Sequence, residues 1–342
     1  MRSGTGSTRR SPAAWTTTPG EVVGSGMGRL LVWTRVGAGA APATSVAGLP
    51  GRACQEWERG GMGERLAAYA HDGLRFDVRD RGPEDGRVVV ALHGFPQTSA
   101  SWEPVAGRLA AAGCRALTPD QRGYSAGARP RRVSAYALPR LVGDVLALAD
   151  AAGAGRFDLL GHDWGGAVAW AVAAAHPDRV RTLTVASTPH PAAMVAALPH
   201  GQALRSWYMA AFQLPALPER LLGDPRSGRR LLAAMGTPHP EAVQAFLSER
   251  AAARGALAWY RAALRSGLRG GGEPVGVVRV PTTYVWSDRD PALGRWAAER
   301  TGEWVDADYR FVVLPGVSHW IPDERPDELA DLVLERLGST GP

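Results

Sequence analysis

Lysine is absent from this chain of 342 residues, so all 39 basic positions are arginine. Total arginine usage beside abundant alanine and glycine is the mark of a GC-rich coding bias. The arginines are scattered and form no single stripe, so the net charge of +6 gives no support to a nucleic-acid partner. Cysteine is almost absent: Cys54 and Cys114 are too few for a disulfide scaffold, and a reducing cytoplasm is the expected location. No apolar run reaches the roughly eighteen residues that a membrane span needs. A signal peptide is not expected either. Arg2, Arg9 and Arg10 are followed by polar and turn-forming residues, and Arg35 interrupts the apolar stretch 30–46. No internal repeat is evident, and nothing calls for a metal or an organic cofactor.

What remains is a chain with 45% hydrophobic residues, enough to bury one large core and an inserted subdomain. Residues 1–61 are rich in Gly, Ser, Thr, Pro and Arg without a period of two or 3.6, which reads as a disordered tail, with Met62 as a candidate start. Alternation around His71-Asp72-Gly73 predicts a β-hairpin over 66–78. Short apolar runs follow at 88–92, 115–118, 157–160, 183–186, 283–286 and 311–314, of the kind that form a buried parallel sheet. Helical patterns separate them at 104–112, 139–152 and 164–176, and another closes the chain at 326–337. This alternation is a βαβ architecture, a mostly parallel central sheet with helices on both faces. The core would occupy 62–188 and 279–342. Between them, 189–278 carries five prolines from Pro215 to Pro240 among helical segments at 204–212 and 240–253, and no clear strand. It is expected to be a helical cap over the C-terminal edge of the sheet, where such sheets place their sites.

The chemistry is concentrated in Gly161-His162-Asp163-Trp164-Gly165-Gly166, directly after the run 157–160. It has the form of a nucleophile elbow, a sharp strand-to-helix turn whose glycines avoid clashes. Aspartate stands where serine is usual. A carboxylate is ionised at neutral pH and suits displacement at a saturated carbon bearing an oxygen or halide leaving group. The resulting ester needs activated water, and His319, after the turn Pro315-Gly316-Val317-Ser318, is the candidate base. Asp290 or its rival Asp288 would orient the histidine, and the order nucleophile, acid, histidine fits the architecture. His93-Gly94-Phe95-Pro96 would present the Phe95 N–H, and the elbow the Trp164 N–H, as the oxyanion donors. His162, His176, His190, His200 and His239 read as packing or loop residues, as do Trp170 and Trp286.

From about residue 64 to its end the chain resembles the soluble epoxide hydrolases of the α/β-hydrolase fold. The resemblance rests on HGFP at 93–96, DQRGYS at 120–125, GHDWGG at 161–166, PHP at 189–191, a WY pair at 207–208 before FQLP, WYR at 259–261, SDRD at 287–290 and GVSHW at 316–320. It implies that Asp290 is the triad acid and that two cap tyrosines, Tyr208 and Tyr260, hold and protonate the epoxide oxygen. It also implies a pocket bordered by His93, Pro96, Trp207 and Trp320. The implied partners are a small hydrophobic epoxide and water, with the protein a monomer or homodimer. DQRG at 120–123 is read as a structural turn.

The nearest rival is a haloalkane dehalogenase with the same Asp/His/Asp machinery. A halide wants side-chain N–H donors, and Phe95 occupies the position where one would stand, whereas an alkoxide wants proton donors such as the two tyrosines. A fluoroacetate-type dehalogenase would carry arginine where Trp164 stands. A serine esterase lacks its nucleophile, and a non-catalytic receptor could dispense with a catalytic group, yet none is missing.

Overall fold

The computed structural model describes residues 65–268 and 274–340, together with two short strands nearer the N-terminus, Gly20–Val22 (β1) and Leu30–Arg35 (β2). Asp72 and Gly73 both adopt positive φ, 53° and 70°, which bends the chain tightly enough to pair Ala68–His71 (β3) with Leu74–Arg81 (β4) as the expected hairpin. Strands and helices then alternate: Arg87–Leu92 (β5), Glu103–Ala111 (α1), Cys114–Pro119 (β6), Leu138–Ala151 (α2), Phe157–His162 (β7), Trp164–Ala175 (α3) and Val180–Ala186 (β8). Each predicted apolar run of the core is a strand.

After β8 the described residues form seven α-helices: Pro191–Ala196 (α4), Gln202–Arg205 (α5), Trp207–Ala211 (α6), Leu217–Gly223 (α7), Pro225–Ala234 (α8), Pro240–Ser248 (α9) and Arg250–Leu268 (α10). Thr282–Ser287 (β9), Arg295–Arg300 (α11), Tyr309–Leu314 (β10), Ile321–Glu324 (α12) and Pro326–Gly338 (α13) complete the fold. Two expectations between β8 and β9 are corrected. The single helix over 204–212 is two short ones meeting at Ser206, and the helix over 240–253 breaks at Glu249, whose extended backbone (φ −69°, ψ 110°) lets α10 set off anew.

The ten described strands form one sheet in the order β1-β2-β10-β9-β8-β7-β5-β6-β4-β3, parallel from β10 to β6 and antiparallel where β4 and β3 join at one end and β2 and β1 at the other. The residues from 1 to 61 had been expected to lack regular elements. This is corrected for β1 and β2: the apolar run Leu30 to Trp33 favours strand, and β2 pairs antiparallel with β10, Trp33 opposite Phe311. The rest of that stretch, and Met62, lie outside the described residues.

The pleat sends successive side chains to opposite faces, and this builds two cores. On one face Val89 and Ala91 of β5, Leu160 of β7 and Val312 and Leu314 of β10 pack against Trp102, Leu109 and Val333. On the other, Val90, Leu92, Leu159 and Val313 pack with Trp170, Val168 and Tyr284. Because β5 lies between β6 and β7, the chain reverses its direction of winding there, and a crevice opens beyond the carboxyl ends of β5 and β7.

Candidate active site

Every group singled out for chemistry in the core leaves the sheet at that edge. Asp163 follows β7, His93 to Pro96 follow β5, Asp290 follows β9 and His319 follows β10. Asp163 takes φ 52° and ψ −123°, a strained conformation for a residue with a side chain. The strain is imposed by neighbours: Gly165 approaches the Leu92 carbonyl so closely that a Cβ would stand 2.1 Å from its oxygen, so the turn cannot relax outward. Thr188 Oγ1 holds the Asp163 carbonyl at 2.7 Å.

The turn delivers the Asp163 carboxylate to two sets of partners. Oδ1 accepts the Phe95 N–H at 2.7 Å, and the Trp164 N–H also hydrogen-bonds the carboxylate. A Cβ on Gly94 would stand 2.2 Å from the Asp163 Cβ, so only glycine lets the loop come this near. Oδ2 faces His319 Nε2 at 3.5 Å. Burial alone would raise the Asp163 pKa, but the hydrogen bond and charge of His319, with the Trp164 N–H, hold it below the ordinary carboxylate value.

His319 Nδ1 lies 2.7 Å from Asp290 Oδ2. Asp290 is fully buried, and its Oδ1 accepts the N–H groups of Ala292 and Leu293, both at 2.8 Å. Asp288 does something else: it is exposed, and its Oδ1 receives the Gly316 N–H at 2.7 Å, pinning the turn before His319. Burial pushes the imidazole down, but the Asp290 charge and the hydrogen bonds and charge of the two carboxylates outweigh it, so the pKa is pushed up to about 10.

Two residues that hold His319 have no part in the site as read from the sequence, where His162 is a packing or loop residue and Ser187 is not named. His162 Nε2–H donates to the His319 carbonyl at 2.9 Å, and Ser187 Oγ donates to the same oxygen at 2.8 Å. Burial, then the charge of His319, takes the His162 pKa down to about 4, so this ring is a neutral donor. Its position before Asp163 is a visible signal; for Ser187, in left-handed backbone at φ 66°, the sequence carries none.

Across from the carboxylate stand the two tyrosines. Tyr260 of α10 is buried and its ring centroid lies 6.1 Å from that of Tyr208 on α6. Burial, and then the Asp163 charge, raise the Tyr208 pKa; burial, then Tyr208 and Asp163, raise that of Tyr260, against a smaller lowering by the neighbouring Trp164 side chain. Both phenols therefore keep their protons at neutral pH. Phe95 and Trp164 pack edge-on against Tyr260, with centroids at 5.2 and 5.0 Å.

The residues expected at the pocket border are placed in different surroundings. Trp207 is 70% exposed: adjacent helix positions point about 100° apart, so a helix that turns Tyr208 inward turns Trp207 out. His93 is completely buried, its Nε2 accepting the Gln121 N–H at 3.2 Å, which makes it a support of the loop rather than a wall. Trp320 does pack edge-on against His319 at 5.1 Å, with its indole N–H on the Met235 carbonyl, and Pro96 follows Phe95 through a cis peptide bond. Among the described residues no cluster of three His, Cys, Asp or Glu could hold a metal ion.

Residues 87–326 match the family described as alpha/beta hydrolase fold. Epoxide hydrolase A of Mycobacterium tuberculosis is 32% identical over 307 residues, spanning 78% of this chain and 95% of its own length. The chain belongs to the epoxide hydrolase family of the α/β-hydrolase fold. Solved epoxide hydrolases agree. One from hot-environment metagenomes is 31% identical with a TM-score of 0.69, covering 79% of this chain and 97% of its own. Epoxide hydrolase A from Mycobacterium thermoresistibile is 29% identical with a TM-score of 0.67 over the same shares. Among the described residues no helix is long and apolar enough to cross a membrane.

Proposed function

We propose that the protein opens a small hydrophobic epoxide to a vicinal diol through an ester on Asp163. The observation that carries this reading is the division of labour on one carboxylate: Oδ1 sits on the Phe95 N–H while Oδ2 faces His319. Oδ2 attacks the epoxide carbon, the C–O bond breaks, and Tyr208 or Tyr260 gives its proton to the departing oxygen. Oδ1 becomes the ester carbonyl, already seated on the donors that stabilise the oxyanion when water adds.

The same ester changes His319. An imidazole between two carboxylates rests as imidazolium, and esterification deletes the Asp163 charge, so its pKa falls and its proton is lost through solvent, which returns one to the phenolate left by ring opening. Neutral His319, still oriented by Asp290, then takes a proton from water as the water adds to the ester carbonyl. Collapse of the adduct releases the diol and the Asp163 carboxylate. The helices between β8 and β9 act as the cap that carries both phenols over the nucleophile. The cytoplasm is the compartment that fits a chain with two cysteines.

Haloalkane dehalogenation is disfavoured by what lines the site. Phe95 offers a halide no side-chain N–H, whereas Tyr208 and Tyr260, both kept protonated by burial, offer proton donors to an alkoxide. The test is diol formation from aryl and alkyl epoxides beside halide release from 1-bromobutane, for the wild type and Asp163→Ala. Diol that disappears in the variant is the expected outcome; halide without diol overturns it.

A further inference from the structure

The turn Asp120-Gln121-Arg122-Gly123-Tyr124-Ser125 has no part in the steps above, yet it touches both sides of the site. Toward the core, Gln121 donates its backbone N–H to His93 Nε2 at 3.2 Å and its side-chain amide to the His93 carbonyl at 2.5 Å, fixing the loop that carries the Phe95 N–H. Toward α10, the Arg122 carbonyl accepts the indole N–H of Trp259 at 2.8 Å. One helical turn earlier, Gly255 lies directly on Gly123: a Cβ at 255 would stand 2.6 Å from the Gly123 carbonyl oxygen and 2.7 Å from its Cα. Gly123 itself has φ 95°, a conformation glycine adopts without cost.

The turn is itself immobilised. The Arg122 guanidinium, fully buried, holds both oxygens of Asp144 at 2.7 and 2.8 Å and reaches Asp72 and the Ala135 carbonyl. Tyr124 stacks on Phe246 of α9 at 5.5 Å and packs edge-on against both His93 and Trp259. A rigid block thus carries the oxyanion loop on one side and, on the other, the helix whose next residue is Tyr260.

We infer that this turn sets the position of the Tyr260 hydroxyl over Asp163, with Trp259 and Gly255 as the positioning residues that register α10 against it. The inference rests on the proposed role of Tyr260 as proton donor. Trp259 touches no reacting atom; it acts by holding its neighbour. A helix can slide or roll by a fraction of an ångström without unfolding, and the buried hydrogen bond to Arg122 together with the glycine contact removes both freedoms.

The test is a double-mutant cycle on the intact protein with styrene oxide, measuring ring opening by single-turnover epoxide consumption and, separately, decay of the accumulated ester. Trp259→Phe keeps an aromatic ring and removes the donor. It should slow ring opening about three- to ten-fold, the worth of one hydrogen bond, and leave ester decay within about two-fold. In Trp259→Phe/Tyr260→Phe the rate should match Tyr260→Phe alone, because a positioning residue has nothing left to position. Multiplied losses, or equal slowing of both steps, would mean a merely structural tryptophan and overturn the inference. Wild-type ring opening in Trp259→Phe overturns it too, with Tyr260→Phe still slow. Wild-type ring opening in Tyr260→Phe instead removes the proton-donor role, and the inference with it. Gly255→Ala, which must lift α10 off Gly123, is the second variant should the first fail to fold, with the same selective loss of ring opening expected.

Discussion

Removal of the Asp163 charge should lower the pKa of His319, and the size of the fall follows from the contacts. Burial opposes the imidazolium; against it stand the Asp290 charge, hydrogen bonds to Asp163 and Asp290, and the Asp163 charge, which together bring the group to about 10. Asp163→Ala deletes two of these four supports. An opposite charge at this range is worth about one to three pH units, so the midpoint should drop by that amount. The nitrogen chemical shifts of His319, followed from pH 6 to 11 by NMR in both proteins, report it. Stability carries a second signature. The folded pKa lies above the unfolded value of about 6.5, so the stabilisation is fully present below about 6.5 and is lost as pH rises toward 10. In the variant this loss should be smaller and complete at lower pH. A His319 midpoint within about half a unit of wild type in Asp163→Ala would refute the reasoning, and with it the release of the base by esterification.

Gly94→Ala should cut diol formation by about 10²–10³-fold, because the new Cβ would lie 2.2 Å from that of Asp163 and drive the Phe95 N–H off Oδ1; thermal unfolding beside steady-state rates separates this from misfolding. Arg122→Met should cost about 3–5 kcal/mol in denaturant unfolding, since it leaves Asp144 buried without its bidentate partner. Trp207→Ala should change stability by no more than about 0.5 kcal/mol and leave turnover intact, as expected of a side chain 70% exposed; a ten-fold loss of turnover would restore it to the pocket.

The core was legible because its signals are local. Val88 to Leu92 or Phe311 to Leu314 can do little but form buried strands, and in a parallel sheet all their carboxyl ends share one edge, so the elbow, the HGFP loop and the histidine turn had to converge. The helices between β8 and β9 were read less well because their boundaries are set by packing rather than by pattern. Nothing in the sequence marks Ser206 or Glu249 as a break, and whether Trp207 or Tyr208 faces inward depends on how α6 lies on the core. The choice between Asp290 and Asp288 shows the same limit at the site. Two carboxylates two positions apart, just beyond a strand, would face the same way if the strand ran on. The sequence permits either to reach the histidine. What separates them is the pair of N–H groups from Ala292 and Leu293, which can only meet Asp290 Oδ1 once the chain after β9 has folded back, and which leave Oδ2 for His319. The carboxylate that meets His319 is chosen by the loop that buries it.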